Sequence, residues 1–322
     1  MRDTTYIRAI NEAMAEELKR EETVVLIGED VGLSGGAFVA SRGLFKEFGE
    51  NRVIDTPMCE ASFVGVALGM AMTGMRPVVE IMFMDFMTFC MDSVVNQIAK
   101  TRYMSGGQFS APLVIRTLAG GGLSAGPQHS QSLEAWFCHV PGLKVVYPAT
   151  PYDVKGLLKA SIRDEDPVLF IEHKLLRTPG QVEDEDYTIP LGKADIKKEG
   201  SDITLVVWGP LLFKAVSAAE KLAEEGISVE IVDLRTLSPL DTDTIVNSVK
   251  KTNRLVIAHE AVMFAGFGAE IAATVVEQAF DYLDAPIKRV GSPFVPIPFG
   301  NELENAVLPG EQNIITAIKE LV

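Results

Sequence analysis

The stretch Asp55-Thr-Pro-Met-Cys-Glu-Ala-Ser62 places one carboxylate, Glu60, directly before an apolar run from Phe63 to Met72. Such a run predicts a helix packed on all sides, so Glu60 would stand where a buried helix begins. Low dielectric disfavours the charged form of a carboxyl group, which suits a group that has to hold or pass a proton. The structural alternative is an ordinary helix N-terminus, at which a carboxylate interacts with free amide groups.

A second candidate proton carrier is His129, in Gln128-His-Ser-Gln131, which follows the glycine-rich segment Ala119–Gly126. An imidazole titrates near neutral pH, so it can take up or release a proton during a reaction. The glycines predict a flexible loop beside this histidine. A surface histidine without a chemical role is the alternative.

An α/β fold with a largely parallel sheet would position these residues. Val24–Ile27 predicts a short buried strand that ends at Gly28-Glu29, and strand ends carry ligand contacts in open α/β sheets. Helical and strand patterns then alternate, which is typical of a parallel sheet. The predicted helices lie at 4–19, after Glu60 and at 87–100, and the further strands lie at 76–80, 113–115, 144–147 and 168–171.

The composition changes at 176–200, where prolines, glycines and the acidic run 183–186 predict a polar linker. We therefore expect a first domain over 1–178, a linker over 179–200 and a second α/β domain over 201–322. In the second domain the predicted strands are 204–208, 229–233, 255–258 and 287–290, and the predicted helices include 212–224 and 269–280.

The net charge of −15 on 322 residues disfavours binding to nucleic acid or to an anionic membrane surface. The three cysteines, Cys59, Cys90 and Cys138, lack metal-ligand spacing and lie in apolar surroundings, which predicts buried reduced thiols. The charged N-terminus does not resemble a signal peptide, and no charge-free apolar run reaches membrane-spanning length. The sequence therefore predicts a cytoplasmic protein.

Three motifs together carry a family resemblance: Asp55-Thr-Pro-x-x-Glu60, Phe83-Met-Asp-Phe-Met87 and Gln128-His-Ser-Gln131. In this order they resemble the beta subunit of the thiamine-diphosphate-dependent dehydrogenase component of 2-oxo acid and acetoin dehydrogenase complexes. Further similar stretches, such as 28–32 and 233–241, extend the resemblance over essentially the whole chain. The resemblance implies a pyrimidine-binding α/β domain followed by a domain similar to the C-terminal domain of the transketolase superfamily.

The resemblance also implies roles for four side chains. Glu60 matches the carboxyl group that activates the aminopyrimidine of the cofactor, and Glu29 matches a second glutamate with a supporting polar role. Phe86 matches an aromatic residue that packs on the aminopyrimidine, although packing in an apolar core beside Phe83 and Phe89 is the alternative. His129 matches a histidine that faces the reacting intermediate and passes a proton when the acyl group moves to lipoamide.

A Gly-Asp-Gly opening, which in related enzymes supplies ligands for the metal on the diphosphate, is absent from the chain. The resemblance therefore implies a separate alpha subunit that holds the diphosphate and Mg²⁺, an α2β2 assembly, and a dihydrolipoyl acyltransferase core as a further partner. It also implies a potassium site near Ser161, Asp164 and Asp166, for which the alternative is a helix C-terminus with solvated acids.

Several functions remain open at this level. The stretches Leu113–Thr117 and Glu172–Leu176 favour acetoin as the substrate, whereas Met104–Gly107 is shared with pyruvate dehydrogenases, and branched-chain 2-oxo acids are a third alternative. A self-sufficient transketolase-like enzyme would need the absent diphosphate motif on the same chain. A non-catalytic subunit that docks the acyltransferase core would need neither Glu60 nor His129.

Overall fold

The computed structural model describes all 322 residues, Met1–Val322. The chain divides into two compact units. The first unit contains residues 1–119 and 136–191, and the second contains residues 120–135 and 192–322. The segment that carries His129 therefore groups with the C-terminal part of the chain rather than with the rest of the predicted first domain.

The first unit is built on a parallel sheet, as the alternating pattern predicts. Its strands are β1 (Arg2–Thr5), β2 (Val24–Gly28), β3 (Val53–Asp55), β4 (Arg76–Ile81), β5 (Val114–Ala119), β6 (Lys144–Val146), β7 (Val168–His173) and β8 (Pro179–Val182). Six of these strands run parallel in the order β6-β7-β5-β4-β2-β3. The strands β2, β5 and β7 are buried along their whole length, so they appear in the sequence as continuous rather than alternating apolar runs.

The helices of the first unit cover this sheet. They are α1 (Tyr6–Arg20), α2 (Leu44–Phe48), α3 (Glu60–Met72), α4 (Thr101–Met104) and α6 (Pro151–Arg163), with α5 (Glu134–Cys138) at the boundary between the two units in the chain. Helix α1 packs along α6. Charged pairs join the two helices: the ammonium of Lys155 donates to Glu16 at 2.6 Å, and Arg163 donates to the fully buried Glu17 at 2.6 Å.

Helix α3 buries only one side. Its buried residues are Phe63, Val64, Ala67 and Ala71. On the opposite side Val66 is 55% exposed, and Met72 is exposed as well. The prediction of a helix packed on all sides is therefore wrong for the single chain, because the helix carries more apolar surface than its own unit covers. An uncovered apolar helix face is typical of a surface that binds another protein.

Residues 84–98 are helical, but they do not form the single helix predicted at 87–100. A 3₁₀ helix spans Met84–Cys90 and a π-helix spans Asp92–Ile98. The cysteine prediction is confirmed for Cys90, which is buried, and wrong for Cys59, which is exposed. Cys59 occupies the N-cap position of α3, outside the apolar run that suggested its burial.

The second unit has its own five-stranded sheet in the order β14-β13-β10-β11-β9, in which only β9 is antiparallel to its neighbour. Its strands are β9 (Asp195–Lys198), β10 (Ile203–Val207), β11 (Val229–Asp233), β12 (Thr236–Ser238), β13 (Leu255–Val262) and β14 (Lys288–Ser292). Its helices are α7 (Leu211–Glu224), α8 (Thr242–Thr252), α9 (Gly268–Ala279), a 3₁₀ turn (Phe280–Tyr282), α10 (Asn301–Val307) and α11 (Glu311–Lys319).

The predicted linker, 179–200, contributes one strand to each unit. Strand β8 pairs antiparallel with β1 in the first unit, and β9 pairs antiparallel with β11 in the second. The helices of both units are too short or too polar to cross a bilayer.

His259, on β13, is fully buried in the second unit. Its ring stacks on Trp208 with the ring centroids 5.0 Å apart, and Gly268 approaches it so closely that an added Cβ would lie 2.9 Å from the imidazole. Burial, together with the charge of Arg289, lowers the pKa of His259 from 6.5 to about 4. The folded protein therefore keeps this imidazole neutral.

The burial of His259 predicts a loss of stability in acid. Because the folded-state pKa of about 4 lies below the reference value of 6.5, the unfolded chain binds one proton more between these pH values. The stabilisation is fully present above pH 6.5 and is lost as the pH falls through 4, by about 3 kcal/mol in total. Urea unfolding at stepped pH should show that His259→Gln loses less stability on acidification by about this amount.

The matched control is His139→Gln, since His139 is exposed and its replacement should leave the pH profile of the wild type unchanged. Parallel pH profiles for His259→Gln and the wild type would contradict the prediction.

Candidate active site

The order of the strands reverses between β2 and β4. The chain passes from β2 to β3 on one side and then crosses to β4 on the other side of β2. At such a point in an open α/β sheet the segments after the two strands diverge and leave a crevice, in which ligands bind. Glu29 directly follows β2, and the Phe83–Met87 motif lies just after β4, so two of the predicted site segments follow the two strands at this reversal.

Glu29 and Glu60 lie close enough to influence each other electrostatically. Burial is the main cause that raises the pKa of Glu29, and the charges of Glu60 and Asp30 raise it further. Burial, again with the charge of Glu60, raises the pKa of Cys90 to about 12. Glu60 itself is half-buried and is the first residue of α3, where the helix dipole favours a negative charge.

Two polar atoms at the same strand ends have no hydrogen-bond partner within the chain. They are Oε1 of Glu29, after β2, and Oγ1 of Thr56, after β3, and both atoms are buried. A buried polar atom without a partner costs about 1–3 kcal/mol, and proteins keep few of them. These atoms therefore indicate a polar ligand that completes the site.

An aromatic ladder forms one wall of the crevice. Phe83, Phe86 and Phe89 follow each other at intervals of three, and a 3₁₀ helix has three residues per turn, so their rings line up on one side. The ring centroids are 5.6 Å apart for Phe83 and Phe86 and 6.2 Å apart for Phe86 and Phe89. Phe38 packs edge-on against Phe83 at 6.0 Å. Phe86 is half-buried and contacts other aromatic rings, as expected for the alternative in which it packs in an apolar core.

The loop from Glu29 to Ser41 lies against carboxylates of the two strands that flank β2, Asp55 on β3 and Glu80 on β4. The amide of Gly32 donates to Oδ1 of Asp55 at 2.6 Å. Gly36 has a φ of +81°, and its backbone lies so close to Glu80 that an added Cβ would be 2.7 Å from Oε1. Both glycines are needed because a side chain at either position would displace the carboxylate that fixes the loop.

Glu80 also belongs to a buried ion triad with Arg116 and Glu172. Nη1 of Arg116 donates to Oε2 of Glu80 at 2.9 Å, and Nε donates to Oε1 of Glu172 at 2.7 Å. The three side chains are at most 4% exposed. Burial raises the pKa of Glu172 to about 7, although the charge of Arg116 opposes this and that of Glu80 adds to it. Near neutral pH the triad can therefore hold one proton and carry no net charge.

His129 lies in the second unit. It is half-buried, and its backbone amide donates to the carbonyl of Gly126 at 3.3 Å. The predicted flexible loop before it is hydrogen-bonded in the structure: the amide of Gly122 donates to Oε1 of Glu304 at 2.7 Å, and the amide of Gly121 donates to Oε1 of Glu260 at 2.8 Å.

Comparison with known families agrees with this arrangement. Residues 2–179 match the transketolase pyrimidine binding domain, and residues 192–314 match the transketolase C-terminal domain. Relatives that match essentially the whole chain include beta subunits of pyruvate and 2-oxoisovalerate dehydrogenases. The chain belongs to the transketolase-related family of dehydrogenase beta subunits.

Three relatives from Bacillus subtilis illustrate the family. The chain is 46% identical to pyruvate dehydrogenase E1 component subunit beta, over 100% of this chain and 99% of the relative. It is 48% identical to acetoin:2,6-dichlorophenolindophenol oxidoreductase subunit beta, over 98% of this chain and 96% of the relative. It is 45% identical to 2-oxoisovalerate dehydrogenase subunit beta, over 98% of both chains.

A solved structure shares the fold of this dehydrogenase beta subunit. It is described as a split gene transketolase, inactive beta4 tetramer, and it superposes with a TM-score of 0.81 at 22% identity, over 98% of this chain and 97% of the other. This similarity establishes the fold alone.

The residues of the predicted potassium site lie around the C-terminus of α6. The hydroxyl of Ser161 donates to the carbonyl of Leu157 at 2.7 Å. Asp164 accepts from Nζ of Lys144 at 2.7 Å, and Asp166 accepts from Arg102 at 2.6 Å. The acids are thus ion-paired at a helix end, which is closer to the structural alternative, and the potassium site stays a prediction.

The ion triad and Glu304 were missed in the sequence. For the triad a signal was present, since Glu80, Arg116 and Glu172 each interrupt an otherwise apolar strand, and buried charges in neighbouring strands have to pair. Glu304 lies in a short helix between exposed residues, so no local pattern marks it.

The ion triad predicts a large loss of stability for Arg116→Met. The substitution would leave two carboxyl groups buried without a cation, which costs about 3–5 kcal/mol. Arg8→Met is the matched control, because the side chain of Arg8 is 71% exposed in its pair with Glu12, and it should cost less than about 1 kcal/mol. Urea unfolding of the purified chains measures both values, and equal losses for the two variants would refute the role of the triad.

Proposed function

We propose that this chain is the beta subunit of a thiamine-diphosphate-dependent dehydrogenase component. The component cleaves acetoin, or oxidatively decarboxylates a 2-oxo acid, and transfers the acyl group to the lipoyl group of an acyltransferase. The observation that carries the proposal is a pair of buried polar atoms without partners, Oε1 of Glu29 after β2 and Oγ1 of Thr56 after β3, together with a ladder of phenylalanines after β4. Full-length similarity to dehydrogenase beta subunits supports it.

The residues at the crevice fit the aminopyrimidine end of the cofactor. A flat, polar ring needs hydrogen-bonding groups at its edge and an apolar wall at its face. Glu29 and Glu60 supply the first, and Phe86 supplies the second. Bound thiamine diphosphate supplies the carbon nucleophile that adds to the substrate carbonyl.

The role of Glu60 in this proposal is to hold a proton at its carboxyl oxygen and to pass it to the ring nitrogen of the aminopyrimidine. Glu29 supports this role. Burial and the charge of Glu60 raise the pKa of Glu29, so Glu29 releases its proton less readily than a free carboxyl group.

The diphosphate and Mg²⁺ are assigned to an alpha subunit, because the chain lacks the Gly-Asp-Gly motif that would supply the metal ligands. The uncovered apolar side of α3, which starts at Glu60, supports assembly with further subunits. We place the chain in an α2β2 heterotetramer with each site at a subunit boundary, and the dihydrolipoyl acyltransferase core is its second partner. The cytoplasmic location stays a prediction from the sequence.

Acetoin is the substrate that we propose. The identity to the acetoin relative, 48%, lies within the 46–49% range of bacterial pyruvate dehydrogenase relatives, so overall similarity does not select a substrate. The preference rests on the stretches 113–117 and 172–176. The first stretch runs into β5 and the second starts with the last two residues of the adjacent strand β7, and Arg116 and Glu172 form their ion pair there.

Co-expression with an alpha subunit from the same family tests the function. Dye reduction by the purified assembly should be faster with acetoin than with pyruvate or branched 2-oxo acids.

In that assembly Glu60→Gln should keep the fold but slow proton exchange at the thiazolium carbon by at least about 10²-fold, because an amide cannot protonate the ring nitrogen. NMR follows this exchange.

Three results would overturn parts of the proposal. Exchange as fast as in the wild type would remove Glu60 from the mechanism. Tight, magnesium-dependent binding of thiamine diphosphate to the isolated chain, measured by calorimetry, would contradict the shared site. Faster dye reduction with pyruvate would replace acetoin as the substrate.

His129 should separate the two half-reactions. Formation of the first adduct depends on the cofactor and Glu60, whereas transfer to lipoamide needs a proton for the departing sulfur. His129→Ala should therefore lower overall activity with lipoamide by about 10²–10⁴-fold, the usual span for one acid–base group. Activity with an artificial electron acceptor, which bypasses lipoamide, should fall much less. Equal losses in both assays would assign His129 to adduct formation or to structure.

A further inference from the structure

The glycine-rich loop before His129 is bound from within the second unit by one fully buried carboxylate. Glu304 accepts from the amide of Gly122 at 2.7 Å, from the amide of Ser124 at 2.8 Å and from the hydroxyl of Ser124 at 3.3 Å. Its residue exposure is 0%. Both carboxylate oxygens are thus engaged by donors of a single loop, across about 180 residues of sequence.

Burial of this carboxylate requires a specific compensation. Removing a carboxylate from water is costly unless strong donors surround it. Here two backbone amides and one hydroxyl provide the donors, and such charge-assisted bonds are stronger than neutral ones. An apolar side chain at position 304 would fill the same space without a buried charge. The presence of a glutamate there indicates that the charge fixes the loop.

The conformation of the loop needs such an anchor. Gly120, Gly122, Ser124 and Gly126 all have positive φ values, between +52° and +94°, and a chain so rich in glycine has many alternative conformations when free. A second carboxylate, that of Glu260, accepts from the amide of Gly121 at 2.8 Å. At the far end Gly126 lies against Phe299, where an added Cβ would be 2.4 Å from the ring.

The loop leads directly to His129. Its base is closed by a bond from the amide of Gly120 to the carbonyl of Gln131 at 3.1 Å, and the amide of His129 donates to the carbonyl of Gly126 at 3.3 Å. His129 therefore lies on the return arm of a closed loop. Fixing Gly122 and Ser124 from one side restricts the positions that this arm, and with it His129, can take.

We propose that Glu304 is a positioning residue for His129 and acts by anchoring the 120–131 loop. The inference rests on the proposed function, since it assigns to Glu304 a part in the proton transfer that His129 performs. Glu304 does not touch the substrate in this proposal. It sets the position of the imidazole, and a misplacement of about 1 Å at a reacting group can cost about 10²-fold in rate.

Glu304→Gln tests the anchor with little change of shape. The carboxamide has one oxygen, and it turns an NH₂ group toward a second loop donor, so one loop bond is lost. Hydrogen exchange by mass spectrometry should show faster exchange in peptides that cover 120–126, by at least about 10-fold. Glu302→Gln is the matched control, because it removes the same charge from the exposed side of the same helix, and it should leave this exchange unchanged.

The kinetic part uses the assembled enzyme with its alpha subunit. Glu304→Gln should lower the lipoamide-dependent activity by about 10²-fold and the artificial-acceptor activity by less than about 3-fold. The double variant with His129→Ala should be no slower than His129→Ala alone, because a positioning residue has no effect once the group it positions is removed. Glu304→Asp, which keeps the charge on a shorter side chain, should fall between wild type and Glu304→Gln in both the exchange and the lipoamide assays.

The possible results test the anchoring of the loop and the proposed role of His129 separately. Unchanged exchange at 120–126 in Glu304→Gln would overturn the anchor, whatever the activity. Faster exchange with equal losses in the two assays, or additive losses in the double variant, would overturn the positioning role. If His129→Ala itself shows no difference between the two assays, the proposed role of His129 fails, while the exchange result still decides the anchor. Should Glu304→Gln fail to fold, the same measurements on Glu304→Asp decide both points.

Discussion

The buried guanidinium of Arg116 is the interaction on which the first unit depends. It lies on β5 and reaches Glu80 on β4 and Glu172 on β7, so one cation joins three adjacent strands. A slip of one residue in either pairing would turn these charges to the opposite face of the sheet and leave them unpaired. Glu80 in turn lies close to Gly36, in the loop that starts with Glu29. The ion triad thus borders the loop that carries a candidate site residue.

In the second unit, too, buried carboxylates bind a segment that carries a candidate site residue. Glu304 and Glu260 bind backbone amides of the segment that precedes His129. In the second unit buried carboxylates fix a glycine-rich loop, because glycines allow the backbone to approach an oxygen closely and the charge strengthens each hydrogen bond. In the first unit the exposed Asp55 accepts from the amide of Gly32 in a similar way. Loops that carry chemistry can be held in this way without aromatic or aliphatic side chains around them.

Two features indicate that the single chain is not the complete functional unit. Helix α3 leaves apolar side chains such as Val66 uncovered, and Glu29 and Thr56 each bury a polar atom without a partner. The first feature calls for apolar surface from another protein, and the second calls for hydrogen-bonding groups of a ligand. Both occur at or next to the helix that begins with Glu60, so subunit assembly and ligand binding concern the same part of the fold.

The sequence by itself determined the α/β class, most strands and the place of Glu60 at the start of α3. Buried strands read as short apolar runs, and the proline and polar residues before Glu60 mark where the following apolar helix can begin. The motifs likewise located Glu29, Phe86 and His129, although their chemical roles rest on the resemblance. Only the tertiary structure decided the 3₁₀ and π conformation of 84–98, the half-exposed state of α3, the ion triad and the binding of the 120–126 loop by Glu304. The ion triad, the exposed face of α3 and the bonds of Glu304 depend on contacts between residues far apart in the chain. A local sequence pattern shows at most the lone charge within each strand of the triad and does not show which charges pair.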